Sequence, residues 1–110
     1  IDWTQQGVRI VDFVRGLSPY PAAWTPLYKE GRESGTAKIF AVHFEPSRTA
    51  ERPGTVETDN RTYLSVACAD GRILIDELQI AGKRRMSARD LLLGMRDIAD
   101  YFFGAECAEA

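Results

Sequence analysis

Two β-prone runs, residues 61–69 and 72–80, meet at Asp70-Gly71. A two-residue type I′ turn needs positive φ at both central positions, which Asp and Gly tolerate, so the junction predicts an antiparallel hairpin. Within the second run, Ile73-Leu74-Ile75 gives way to Asp76-Glu77 and strict alternation is lost. A bulge or a change of sheet face has that effect, so the strand should curve strongly. Residues 36–44 alternate clearly, with Lys38, Phe40, Val42 and Phe44 on one face and Ala37, Ile39, Ala41 and His43 on the other. Residues 22–25 read as an earlier strand after the extended bend at Pro19 and Pro21, with Trp24 as its core anchor. Pro46, Pro53 and Gly54 make residues 45–60 mainly loop, with a short strand at 54–57.

Helical patterns flank these strands. Residues 4–16 form an amphipathic run capped by Thr4, placing Val8, Val11, Phe13, Val14 and Leu17 at helical spacing. Ser87 followed by Asp90 opens a second helix, with Leu91, Met95, Ile98 and Phe102 continuing one face to Gly104. About five short curved strands between two helices are most economically closed into a small OB-like barrel, because closure removes exposed edges. The expected fold is therefore mainly β with an N-terminal and a C-terminal helix: one domain over 1–104 and a frayed tail over 105–110.

The 110 residues, 45% hydrophobic and 27% charged, suit one domain that buries its own core. No stretch approaches the roughly 20 apolar residues of a membrane span, and the N-terminus lacks a signal-peptide pattern, so a soluble cytoplasmic protein with no membrane partner is expected. The first residue, Ile1, suggests a chain cut from something longer. Cys68 and Cys107 are too few and too ill-placed for a disulfide framework or metal site and read as free thiols. The sequon Asn60-Arg61-Thr62 matters only in a secreted protein and reads as chance. A net charge of -2 argues against a dedicated nucleic-acid protein, so any RNA contact must be local.

A search for chemistry returns no catalytic, cofactor-binding or metal-ligating residues. The single histidine, His43, has no cysteine or second histidine at ligand spacing and reads as structural. The glycines form neither dinucleotide-binding nor phosphate-loop patterns. Asp76 and Glu77, adjacent on a strand, point to opposite faces; they should pair with nearby cations rather than act jointly as acid and base. Trp3, Tyr20, Trp24, Phe40, Phe44 and Tyr63 offer surfaces for stacking nucleobases, but core packing is the better reading for most. What remains is Lys83-Arg84-Arg85 after Gly82, with Arg89 one turn into the next helix. A solvated charged turn would explain it in an arbitrary sequence. Here the cluster lies between a strand end and a helix start, where backbone amides also favour anions.

Three blocks then carry a resemblance. The first joins Ile1-Asp2-Trp3 to Arg15-Gly16-Leu17-Ser18-Pro19-Tyr20-Pro21-Ala22-Ala23-Trp24-Thr25. The second combines Lys38-Ile39 with Pro53-Gly54-Thr55-Val56, and the third runs over 77–93. In this order and spacing the sequence resembles the C-terminal domain of the methionyl-tRNA formyltransferases. The resemblance implies an OB-like barrel that follows a Rossmann-type N-terminal catalytic domain. It also implies a part in holding initiator methionyl-tRNA, through its phosphates, during N-formylation from 10-formyltetrahydrofolate. The folate donor and the catalytic Asn, His and Asp would belong to that other domain, leaving this chain alone without activity and without a cofactor. The family's tRNA-facing basic residues map by residue type onto Lys38, Lys83, Arg84, Arg85 and Arg89. The alternative is the same module in a sugar-nucleotide or folate formyltransferase, packing between domains with no RNA contact. An independent small enzyme is a third and poorer reading, because no catalytic constellation is present.

Overall fold

The computed structural model describes residues 3–17, 23–29, 32–46, 52–95 and 97–103. The proline bend at 19–21, Tyr20, Cys107 and the tail at 105–110 lie outside the described residues. Helix α1 (Gly7–Leu17) leads into strands β1 (Ala23–Lys29) and β2 (Arg32–Pro46), the short β3 (Val56–Thr58), β4 (Leu64–Cys68) and β5 (Gly71–Ile80). A two-residue strand β6 (Met86–Ser87), helix α2 (Ala88–Gly94), a 3-10 turn (Ile98–Asp100) and β7 (Tyr101–Phe103) complete it. The strands form one sheet in the order β3-β4-β5-β2-β1-β7, with β6 beside β5. All pairings between these strands are antiparallel.

The sheet curls until its two ends nearly meet. Thr55, just before β3, bridges Phe102 of β7, and the Phe103 amide donates to the Gly54 carbonyl at 2.9 Å. Gly54 itself donates to the Ala67 carbonyl at 2.9 Å, tying the seam to β4. Its φ of +99° and the 2.2 Å between a hypothetical Cβ and the Phe103 carbonyl oxygen explain why only glycine fits there. The result is the barrel expected, with seven strands among the described residues rather than about five: β3 answers the short strand read at 54–57, and the two-residue β6 and three-residue β7 are too short to stand out from their surroundings.

Helix α1 packs on β2 and β5 and buries Ile10 and Val14. It starts at Gly7 rather than after Thr4, because the Gly7 amide is taken by Asp70 Oδ1 at 2.8 Å, a cap delivered from the far side of the chain. The buried stripe therefore runs through Gly7, Ile10 and Val14, and Val8 and Phe13 face outward, contrary to the reading that gathered them on one core face. Trp3 lies beneath, 3% exposed, its indole N–H donating to Thr25 Oγ1 at 2.9 Å and its ring edge-on to Phe103 at 6.2 Å.

The hairpin lies where the sequence placed it, but its loop is Ala69-Asp70, since Cys68 already pairs with Gly71. Neither loop residue has positive φ; Asn60 is the one non-glycine residue among those described that does. The turn is thus not type I′. Asp70 is held there by its contact with the start of α1 rather than by a left-handed backbone. The expected irregularity in β5 is present. Ile73 and Ile75 are buried, then Leu78 and Ile80, and the phase changes at Asp76, where the register against β2 shifts. A second shift at Phe40 does the same to β2. Ala37 and Ile39 face the core, whereas beyond the bulge Val42 and Phe44 pack against it and His43 faces solvent, so the two expected faces exchange roles midway.

The C-terminal helix is shorter than the periodicity suggested. Ser87 caps it as expected, accepting the Asp90 amide at 3.2 Å, and Leu91 and Leu92 are buried. It ends at Gly94, and Phe102, expected on a helical face, lies instead in β7. Tyr101-Phe102-Phe103 is an aromatic run of strong β propensity, and the free edge of β1 offers it a full ladder: Leu27 against Phe103, Tyr28 against Phe102, Lys29 against Tyr101. Phe103 is fully buried by that pairing.

Candidate functional site

The registers of three adjacent strands place a row of side chains on the outside of the barrel. Trp24 on β1 is directly opposite Lys38 on β2, which is directly opposite Gln79 on β5. Residues paired this way hold their Cβ atoms about 4.5–5.5 Å apart on one sheet face. The flanking residues Ala23, Thr25, Ala37, Ile39, Leu78 and Ile80 are buried, so the row faces outward. Trp24 is accordingly 54% exposed and does not anchor the core, a role that Trp3 fills. A one-residue difference in parity separates the two outcomes, and only the pairing of β1 with β2 fixes it.

The turn after β5 extends the row. Lys83 donates its amide to the Ile80 carbonyl at 2.9 Å, and Gly82 has φ +86°, as the third position of a type II turn requires. The Ala81 amide donates to the Thr36 carbonyl at 2.9 Å, anchoring the turn to β2. Gln79 Nε2 then donates to the Lys83 carbonyl at 2.9 Å. Lys83 is therefore fastened next to the row that carries Lys38, and Arg84 follows it, exposed.

Arg85 differs in being engaged locally. Its Nε and Nη2 donate to Glu77 Oε2 and Oε1, both at 2.9 Å, and its guanidinium lies 4.1 Å from the centre of the Phe40 ring. The hydrogen bond from Arg85 holds the Glu77 carboxyl below its usual range, and that same bond to Glu77 raises the guanidinium in return. Charge and geometry are both satisfied locally, so Arg85 braces β5 against β2 over its half-buried aromatic neighbour. Glu77 thus pairs with a cation, as expected, and Asp76 lies 2.9 Å from His43 on the opposite side of the strand, both exposed.

Arg89 is on α2, away from the turn. It borders two shallow depressions, one with His43, Tyr63, Asp76 and Ser87, the other with Arg61, Asp90 and Leu93. Ser87 Oγ occupies one of the amides at that helix end, so the amide assistance expected for the basic cluster is in part internally used. The structure thus brings Lys38 and Lys83 together with Arg84 alongside, gives Arg85 to Glu77, and places Arg89 beside Arg61. Among the described residues, Arg85 alone of these five forms an ion pair. Sequence reasoning missed Gln79, the outward Trp24 and Arg61. No local signal marks them, because each acquires its neighbours through strand pairing or chain reversal. Among the described residues no three His, Cys, Asp or Glu side chains gather to hold a metal ion, and no helix is long and apolar enough to cross a membrane.

The chain matches known proteins over most of its length. Residues 1–96 match the family model described as formyl transferase, C-terminal domain. A methionyl-tRNA formyltransferase of Parabacteroides distasonis is 44% identical over 104 residues, covering 94% of this chain and 32% of that protein. One from Bacteroides fragilis is 43% identical over 94 residues, 86% of this chain and 29% of the relative. One from a Bradyrhizobium strain is 40% identical over 104 residues, again 94% and 32%. The chain spans about a third of the length of the curated relatives it matches. With nearly all of the barrel inside the matched region, the chain belongs to the formyl transferase C-terminal domain family.

Proposed function

We propose that this domain is the tRNA-binding module of a methionyl-tRNA formyltransferase, helping to position initiator methionyl-tRNA while an N-terminal domain formylates its amine from 10-formyltetrahydrofolate. The observation that carries this reading is the juxtaposition of Lys38, Lys83 and Arg84 on one side of the barrel, with no ion pair to any of them among the described residues. Cations left to solvent on a rigid scaffold suit phosphates, which supply affinity and orientation without reading sequence. The names of the relatives favour methionyl-tRNA over a sugar nucleotide or folate as the parent's substrate.

In such an enzyme the domain contributes by positioning. Holding the acceptor arm still relative to the catalytic domain turns an encounter of two molecules into a local event, a large effect when the geometry is right. The domain supplies no nucleophile or base to the transfer, so the isolated chain should not formylate. Its net charge of -2 confines the attraction to the basic row and predicts weak, salt-sensitive binding.

The test is fluorescence anisotropy of labelled initiator tRNA titrated with the 110-residue chain and with the variant Lys38→Glu, Lys83→Glu, Arg84→Glu. All three side chains are exposed, so folding should be retained, which circular dichroism checks. The variant is expected to bind about tenfold more weakly or worse. Equal affinity of a folded variant would end the proposal.

A further inference from the structure

Away from the basic row, α1 and the far half of β2 enclose a groove of about 440 Å³. Val8 and Val11 of α1 and Val42 and Phe44 of β2 are its apolar members, and Asp12, Arg15 and His43 its polar ones. Two features of the fold create it. The core takes the stripe through Gly7, Ile10 and Val14, so a turn of about 100° per residue leaves Val8 and Val11 on the shoulder of the helix. Beyond the bulge at Phe40, Val42 and Phe44 turn inward and form the facing wall. The walls are fixed in place. A Cβ on Gly7 would lie 1.9 Å from the Phe44 ring, so the ring seats against the helix start only because that residue is glycine, and Asp70 holds the Gly7 amide. Val8, 59% exposed, carries the apolar lining out to the surface. A contiguous apolar lining with charged groups beside it has the make-up of a protein interface.

We infer that this groove is the seat of the rest of the parent chain, which inserts apolar side chains between α1 and β2. The inference rests on the proposed function, which makes that remainder an N-terminal catalytic domain. Three observations select this occupant. The chain spans about a third of the length of its curated relatives, so about two thirds of such a protein has to meet the barrel somewhere. Helix α1 is the first element of the chain, so a domain joined ahead of it is tethered beside the groove, and tethering makes the contact intramolecular. The charged members include one of each sign, Asp12 and Arg15, and His43 is held by Asp76 at 2.9 Å. The groove therefore lacks the positive excess that RNA phosphates require, and a protein surface suits it better. A fixed seat also supplies what positioning demands, a constant geometry between the bound tRNA and the reacting centre.

Amide hydrogen exchange tests the inference on the whole parent protein and on the 110-residue chain. Residues 8–15 and 42–44 should exchange roughly tenfold or more slowly in the parent. Val8→Glu puts an acidic residue into the first turn of α1, which has none, so the isolated chain should melt no lower than before. In the parent, the same substitution should return residues 8–15 to the exchange rate of the isolated chain. Equal exchange in parent and isolated chain would overturn the inference, and so would full protection in the Val8→Glu parent. Protection of the isolated chain that grows with its concentration, with a dimer in sedimentation, would give the groove to a second copy and overturn it as well. The tRNA titration of the Lys38, Lys83, Arg84 variant is made on the isolated chain and so reports separately on the proposed function. If that variant loses tRNA binding while exchange is equal, only the docking seat falls. If it binds tRNA unchanged while the parent shows the protection, the seat stands and the tRNA contact falls.

Discussion

Single side chains decide how the basic cluster divides. The sequence groups Arg85 with its neighbours as a phosphate contact, but the carboxylate of Glu77 matches its fork and the Phe40 ring covers its face. Lysine at the same position would keep the charge and lose both the second hydrogen bond and the stacking. A comparable local network orders the connection before β4. Asp59 Oδ1 accepts the amides of Arg61, Thr62 and Tyr63, and Oδ2 accepts the Thr62 hydroxyl at 2.6 Å. The Thr62 hydroxyl is the largest cause holding this carboxyl far below its ordinary value, the amides adding to it. A depressed carboxyl stabilises the fold fully above its unfolded value, ordinarily 3.8, and loses that contribution as pH falls through the lower folded value. Asp59→Ala is therefore expected to melt below the parent chain at pH 7. The gap between the two should narrow once the pH drops below about 3.8, as thermal scans by circular dichroism across acid pH would show.

At the scale of elements, the seam formed by Gly54, Thr55 and β7 determines whether the sheet closes. Phe103 is fully buried there, stacked edge-on against Trp3 and bonded through its amide to Gly54. Phe103→Ala should cost about 3–5 kcal/mol in urea unfolding, because a large ring leaves a cavity that neighbouring strands cannot fill. A loss under about 1 kcal/mol would show that the seam contributes little. The same seam marks the limit of what the sequence made legible. The β4–β5 hairpin, the bulge at Asp76 and the Ser87 cap were readable because each is specified by residues within a few positions. Met95, Ile98 and Phe102 kept helical spacing on paper, yet the open edge of β1 captured residues 101–103 as a strand. That edge is more than seventy positions away in sequence, and no local pattern announces it.

For the whole molecule, the family and the barrel were legible from three separated blocks, and the site was legible only in part. Lys38 and Lys83 were recognised as residue types, but their union through Gln79, the outward turn of Trp24 and the neutralisation of Arg85 all depend on register across β1, β2 and β5. An acidic chain with a basic row is expected to bind tRNA through that row alone, and the salt dependence of affinity counts the phosphates involved. The most direct measurement is the slope of log affinity against log salt for initiator tRNA, taken for the parent chain, for Lys83→Gln with Arg84→Gln, and for Arg85→Lys. The double variant should flatten the slope by about 2, one for each phosphate no longer neutralised, while Arg85→Lys leaves it unchanged. Equal slopes for the parent and the double variant would contradict the account.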